Sequence, residues 1–196
     1  MKNRVVVTGM GVCAPNGLGL QEFTKSLQEG KSGIRFHQEL EDLKFSCQIA
    51  GKPNISQYHI NKYFSPLQQR GLNASAYLGG ILGCGNQVTT NSSACTTGTE
   101  GILMAYERIL AGKAKRILTG SCSDSGPYVW GGFDAMRILP SAYNQAPENA
   151  SRPMSASAAG FVPGSGAGAL VLESLESALE RGAHIYGEVL GGAVNS

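Results

Sequence analysis

The segment Val88-Thr-Thr-Asn-Ser-Ser-Ala-Cys95-Thr-Thr-Gly98 concentrates the chemistry this chain can offer. A β-branched run enters small residues, then one cysteine, then a helix that opens with Thr and Gly. That order predicts a short strand over 88–91, a tight turn, and a helix from Gly98 to Leu110. A sulfur at a helix amino terminus meets free backbone N–H groups and the positive end of the helix dipole, and both favour the thiolate. The thiolate is the form that attacks a thioester carbonyl. Cys95 is therefore the candidate nucleophile, with Ala94 and Gly98 leaving room beside it. The same local pattern also suits a buried, inert cysteine. Cys13 and Cys84 read as parts of Gly-containing turns, Cys47 as a strand residue and Cys122 as part of a loop-like Ser-Cys-Ser stretch. None of these four has the helix-start setting.

The elements that must hold Cys95 alternate between strand and helix patterns. Arg4–Thr8 (RVVVT) reads as a buried strand ended by a turn at Gly9-Met10-Gly11. Leu20–Leu27 has helical spacing and is stopped by Gly30–Gly33. Phe45–Gly51 is a strand candidate, and 53–70 is polar and irregular. Ala74–Leu82 reads as a closely packed helix. Gly98–Leu110 places Ile102, Leu103, Tyr106, Ile109 and Leu110 on one face. Arg116–Thr119 reads as a strand, 129–139 contains a short helix, and Gly168–Leu172 is an apolar strand. Leu175–Arg181 is a helix stopped by Gly182, and His184–Leu190 a last strand. Alternation of this kind, with apolar strands buried on both faces, predicts an α/β fold with a layered sheet.

Composition removes several classes of function. The chain has 196 residues, 42% of them hydrophobic and 15% charged, with a formal charge of +2. No Lys/Arg run is long enough for a nucleic-acid surface; Lys113-Ala114-Lys115-Arg116 reads as a solvated helix end. Five cysteines without a CxxC pair argue against a zinc site or a disulfide framework and fit a reducing cytoplasm. No signal-peptide pattern follows Met1, and no apolar run approaches the roughly 20 residues that span a bilayer. Neither a nucleic-acid nor a membrane partner is expected.

Ser93-Ala94-Cys95-Thr96-Thr97-Gly98 resembles the nucleophile motif of β-ketoacyl-[acyl-carrier-protein] synthases, the elongating condensing enzymes of the thiolase superfamily. Three further stretches resemble the family in the same order. They are Val6-Val7-Thr8-Gly9-Met10-Gly11-Val12 with Gly30-Lys31-Ser32-Gly33-Ile34, then Gly132-Phe133-Asp134-Ala135-Met136-Arg137-Ile138-Leu139. The last is Ala150-Ser151-Arg152-Pro153 with Gly160-Phe161-Val162-Pro163-Gly164-Ser165-Gly166-Ala167-Gly168. The resemblance implies a thiolase-like fold, a layered mixed sheet with helices, of which residues 1–196 form the amino-terminal, cysteine-bearing lobe. It implies that Cys95 receives an acyl group from acyl-carrier protein. Malonyl-carrier protein is then decarboxylated and its carbanion attacks the acyl group. A backbone N–H at the cysteine would serve the oxyanion. Phe133 would line the acyl channel, although a plain core aromatic fits that position equally. The expected partners are acyl-carrier protein carrying acyl and malonyl groups and a second subunit, in a homodimer or in a heterodimer with a related chain. No cofactor or metal is implied.

The chain also departs from the family. Ser155, Ala156, Ser157, Ala158 and Ala159 replace acidic and basic residues after Arg152-Pro153, and Ser165 stands where a Glu is usual. These changes suggest a divergent polyene or polyketide system. His37, His59 and His184 lie in no His-Gly-Thr motif, so the family's catalytic histidine pair is absent and the chain alone is expected to be inactive in condensation. Gln69-Arg70-Gly71-Leu72 joins two regions that several dozen residues separate in the family, which predicts a break or omitted segment near 70–71. Three other readings compete. A dinucleotide site at Gly9-Met10-Gly11 is opposed by Pro15, which disrupts the helix that should receive the pyrophosphate. A noncatalytic chain-length-factor-like subunit is opposed by Cys95. A coenzyme A-dependent thiolase or starter-unit enzyme fits the Arg-Pro and Gly-rich stretches less well.

Overall fold

The computed structural model describes residues 3–66, 68–70, 74–124 and 126–195. The expected break between Arg70 and Gly71 lies outside the described residues. In chain order the elements are β1 (Val5–Ala14), β2 (Gly17–Leu18), α1 (Leu20–Gln28), β3 (Ile34–Phe36), α2 (Gln38–Asp42), β4 (Ile49–Gly51) and α3 (Gln57–Tyr63). There follow α4 (Ala74–Ile81), α5 (Thr97–Leu110), β5 (Arg116–Ser123), α6 (Pro127–Ala135), β6 (Gly166–Ser174), α7 (Leu175–Glu180) and β7 (Gly187–Val189). One sheet has the order β2-β1-β6-β5, with β7 also on β1, and a second pairs β3 with β4. β1 runs antiparallel to β2 and to β7, the latter in the register Val5↔Val189 to Val7↔Gly187. The fold is α/β, as expected.

The chain divides into two compact units. The first comprises Met1–Gly9, Ile55–Ser121 and Leu170–Ser196; the second comprises Met10–Asn54 and Cys122–Ala169. In the first unit, Val5, Ala105, Ile109 and Leu172 form the buried core, with Ile102, Tyr106, Leu110 and Ile117 packed around it. The apolar face read from helical spacing is thus the face that α5 buries. In the second unit, β3 and β4 pair antiparallel from Ile34↔Gly51 to Phe36↔Ile49. Cys47, Ile49, Leu139 and Ala150 form one core cluster there, and Leu40, Ala50 and Trp130 another.

Several expectations are corrected. The Gly9-Met10-Gly11 turn does not exist: β1 continues through it. Gly9 is small because a Cβ there would sit 3.0 Å from Cγ2 of Val171. No phosphate-cradling turn follows the first strand, which removes the dinucleotide reading. Residues 88–91 form no strand and are exposed except for half-buried Asn91. The 53–70 stretch contains α3, whose start carries a reciprocal cap between Ser56 and His59. The strand read over Phe45–Gly51 shrinks to Ile49–Gly51, and that over His184–Leu190 to Gly187–Val189. Cys13 lies in β1 and Cys122 in β5, whereas Cys47 is a fully buried loop residue. The strands are not buried on both faces, since β5 buries only Thr119.

Candidate active site

The turn around Cys95 is built from short polar residues that bond to one another. Ser93 is followed by a 3₁₀ turn over Ala94–Thr96, which passes directly into α5. Ala94 has φ 51°, in the left-handed region. Such a conformation costs a non-glycine residue roughly 1–2 kcal/mol and persists only where its surroundings hold it. Here the Thr97 hydroxyl accepts from the Ser93 N–H at 2.9 Å and donates to the Ala94 carbonyl at 2.7 Å. The Thr97 backbone N–H also donates to that carbonyl. Asn91 Nδ2 donates to the Thr97 carbonyl at 3.3 Å. The Thr96 hydroxyl lies 2.9 Å from both the Ser93 carbonyl oxygen and the Glu100 carboxylate. The neighbouring Ser93 and Thr96 hydroxyls hold the Glu100 carboxyl below its usual range.

Cys95 itself is exposed. It sits one residue before Thr96, the cap position of α5, a helix of 14 residues. Close packing seats that helix. A Cβ on Gly98 would come within 3.0 Å of Ser121 Cβ, and one on Gly101 within 3.1 Å of Thr119 Oγ1. These two glycines, three residues apart on one helix face, let the start of α5 lie against β5. An exposed sulfur at a helix amino terminus can attack an electrophile brought from solvent.

Phe133, the expected channel residue, lies on α6 in the second unit. It packs with the Cys47, Ile49, Leu139 and Ala150 cluster and meets Phe161 edge to face at 5.1 Å between centroids. Its neighbour Asp134 accepts from the Ser46 N–H at 3.1 Å and the Cys47 N–H at 3.1 Å, and from the Ser46 hydroxyl at 2.5 Å. Burial pushes the Asp134 carboxyl up, but these bonds outweigh it and hold the group below its ordinary value. Asn144 completes the clamp by accepting from Gln48 N–H at 2.9 Å and donating to the Ser46 carbonyl at 3.0 Å. Sequence reasoning missed Thr97, Asp134 and Asn144. The Ser93-x-x-x-Thr97 spacing was the available signal for the first; the other two act on residues about 90 positions away and left none.

The three histidines have local duties. His37 Nε2 lies 3.2 Å from the Ala50 carbonyl, and burial lowers its pKa. His59 caps α3, and His184 meets Tyr186 edge to face at 4.5 Å. They come from separate parts of the chain and form no pair.

An α/β lobe with an exposed cysteine on a strained turn before a helix suits chemistry through a sulfur nucleophile. The chain belongs to the β-ketoacyl synthase family: the family model "Beta-ketoacyl synthase, N-terminal domain" matches residues 2–65 and 61–178. The 3-oxoacyl-[acyl-carrier-protein] synthase 1 of Escherichia coli (strain K12) is 29% identical over 257 aligned positions, covering 96% of this chain and 63% of that protein. The chloroplastic 3-oxoacyl-[acyl-carrier-protein] synthase I of Arabidopsis thaliana is 41% identical over 267 positions, covering 99% and 56%. Among solved structures, a type II polyketide synthase acyl-carrier protein in complex with its ketosynthase matches with a TM-score of 0.81. That match has 26% identity and covers 96% of this chain and 62% of the other. The ishigamide ketosynthase/chain length factor shares the fold with a TM-score of 0.80 at 24% identity, covering 97% of this chain and 63% of that one. The chain thus spans less than two thirds of the length of these relatives, and the sequence alignments run over more positions than its 196 residues.

Proposed function

We propose that this chain is the cysteine-bearing part of a β-ketoacyl-[acyl-carrier-protein] synthase, an acyltransferase of fatty-acid, polyketide or polyene synthesis in the cytoplasm. The Cys95 thiolate attacks the thioester carbonyl of an acyl-carrier protein. The tetrahedral intermediate collapses with loss of the carrier's thiol, which takes up a proton, and leaves an acyl thioester on Cys95. In the complete enzyme, malonyl-carrier protein then loses CO₂, and the resulting carbanion displaces the Cys95 sulfur to give the β-ketoacyl product. Phe133 lines the acyl channel. The working assembly is a homodimer or a heterodimer with a related subunit. The observation that carries this reading is the exposed sulfur of Cys95 on the strained turn that opens α5.

The reading also holds that a segment carried by relatives is missing near 70–71. Its support is the division of the family match into two stretches and the excess length of the alignments. A gene that reads directly from codon 70 to codon 71 would remove that part of the proposal. The function is tested by mixing the chain with acyl-carrier-protein thioester and following free carrier thiol. One equivalent released by the wild type and none by Cys95→Ala is expected. Equal release by both would overturn the assignment.

A further inference from the structure

We infer that Thr97 is a positioning residue that orients the Cys95 backbone N–H for the oxyanion of acyl transfer. The inference rests on the assignment of Cys95 as nucleophile and adds a residue that the motif alone does not mark. A peptide group is planar, so the Ala94 carbonyl and the Cys95 N–H are fixed in opposite directions across one rigid unit. Whatever holds the carbonyl therefore aims the N–H. Both the Thr97 hydroxyl, at 2.7 Å, and the Thr97 backbone N–H donate to that carbonyl. The same hydroxyl accepts from the Ser93 N–H at 2.9 Å, so one side chain ties down both sides of Ala94. Ala94 needs this restraint, because at φ 51° it is in a conformation that an untethered alanine leaves. The tether lets the Cys95 N–H stay aimed before the negative charge develops, the condition under which an oxyanion donor is effective.

The test compares Thr97→Val, which keeps shape and removes the hydroxyl, with Thr97→Ser, which keeps it. Two reactions at Cys95 are measured by mass spectrometry: acylation by a decanoyl N-acetylcysteamine thioester, which forms an oxyanion, and alkylation by iodoacetamide, which does not. Hydrogen exchange of the Ser93 amide is measured in parallel. Outright loss of an oxyanion donor slows a reaction by about 10²- to 10³-fold. Misorientation in Thr97→Val should slow acylation by about tenfold or more, change alkylation by less than about threefold, and speed Ser93 exchange by about tenfold. Thr97→Ser should resemble the wild type in all three. Parallel loss of both reactions would make Thr97 merely structural, and unchanged Ser93 exchange would show there is no tether; either overturns the inference. A wild-type Cys95 that is alkylated but never acylated would instead overturn the functional assignment on which the inference rests.

Discussion

Glu173 should be the chain's most costly single charge to remove. It is the penultimate residue of β6, is fully buried, and collects donors from four places. Arg181 reaches it twice, Nε at 3.1 Å and Nη2 at 2.7 Å; Ser177 Oγ donates at 2.7 Å and Thr8 Oγ1 at 3.0 Å. Arg116 Nε lies 3.3 Å away. The Arg181 bonds lead in holding its pKa at about 2 against an ordinary 4.5, in opposition to burial. A depressed carboxylate pKa stabilises the fold above the unfolded value, and this contribution is lost as pH falls through the folded value. At about 1.4 kcal/mol per pH unit, the shift amounts to roughly 3 kcal/mol, lost between about pH 4.5 and pH 2. The Arg181 end reaches solvent, so added salt trims the figure. Glu173→Gln should therefore lower unfolding free energy at pH 7 by about 3 kcal/mol, near the 3–5 kcal/mol typical of a broken buried pair. Urea titrations of both proteins from pH 7 to pH 2 measure this. The gap should close toward pH 2. A variant within about 0.5 kcal/mol of the wild type at pH 7, or a gap independent of pH, would refute the reasoning.

Asp134→Asn should destabilise the second unit by about 1–3 kcal/mol, because an amide cannot accept all three of the bonds from Ser46 and Cys47 and leaves donors unpaired; chemical denaturation measures the loss. Phe133→Leu keeps apolar volume near the Phe161 ring and should cost less than about 1.5 kcal/mol. It should also shift the chain-length profile of Cys95 acylation, and an unchanged profile would mark Phe133 as a plain core aromatic. The 196-residue chain with acyl- and malonyl-carrier protein should yield no β-ketoacyl product, since His37, His59 and His184 have other partners and form no pair. Steady product formation, read by mass spectrometry, would contradict that.

What was legible in the sequence was what local rules decide. The apolar spacing from Ile102 to Leu110 identified α5 and the face it buries, and the small residues before it located the turn that carries Cys95. The run Val88-Thr89-Thr90 misled because β-propensity describes fit to a neighbouring strand, and among the described residues no strand pairs with it. Gly9 misled for the opposite reason. Its smallness answers a distant side chain, Val171, and not a local turn. The Glu173 cluster joins Thr8, Arg116, Ser177 and Arg181, and only the last two are near in sequence. The candidate acylation site was readable because Cys95 and the residues that restrain its turn, Ser93 to Thr97, are contiguous. The clamp of Asp134 and Asn144 on residues 46–48 is a product of the fold and had no local signature.

The central claim is that one cysteine of five carries the acyl group, and peptide mapping tests it most directly. The chain is incubated with acyl-carrier-protein thioester, digested under acidic conditions that preserve thioesters, and sequenced by tandem mass spectrometry. The account predicts a single acyl adduct on the peptide that contains Cys95, with Cys13, Cys47, Cys84 and Cys122 unmodified, and no adduct in Cys95→Ser. Acylation of another cysteine with Cys95 left free would contradict it.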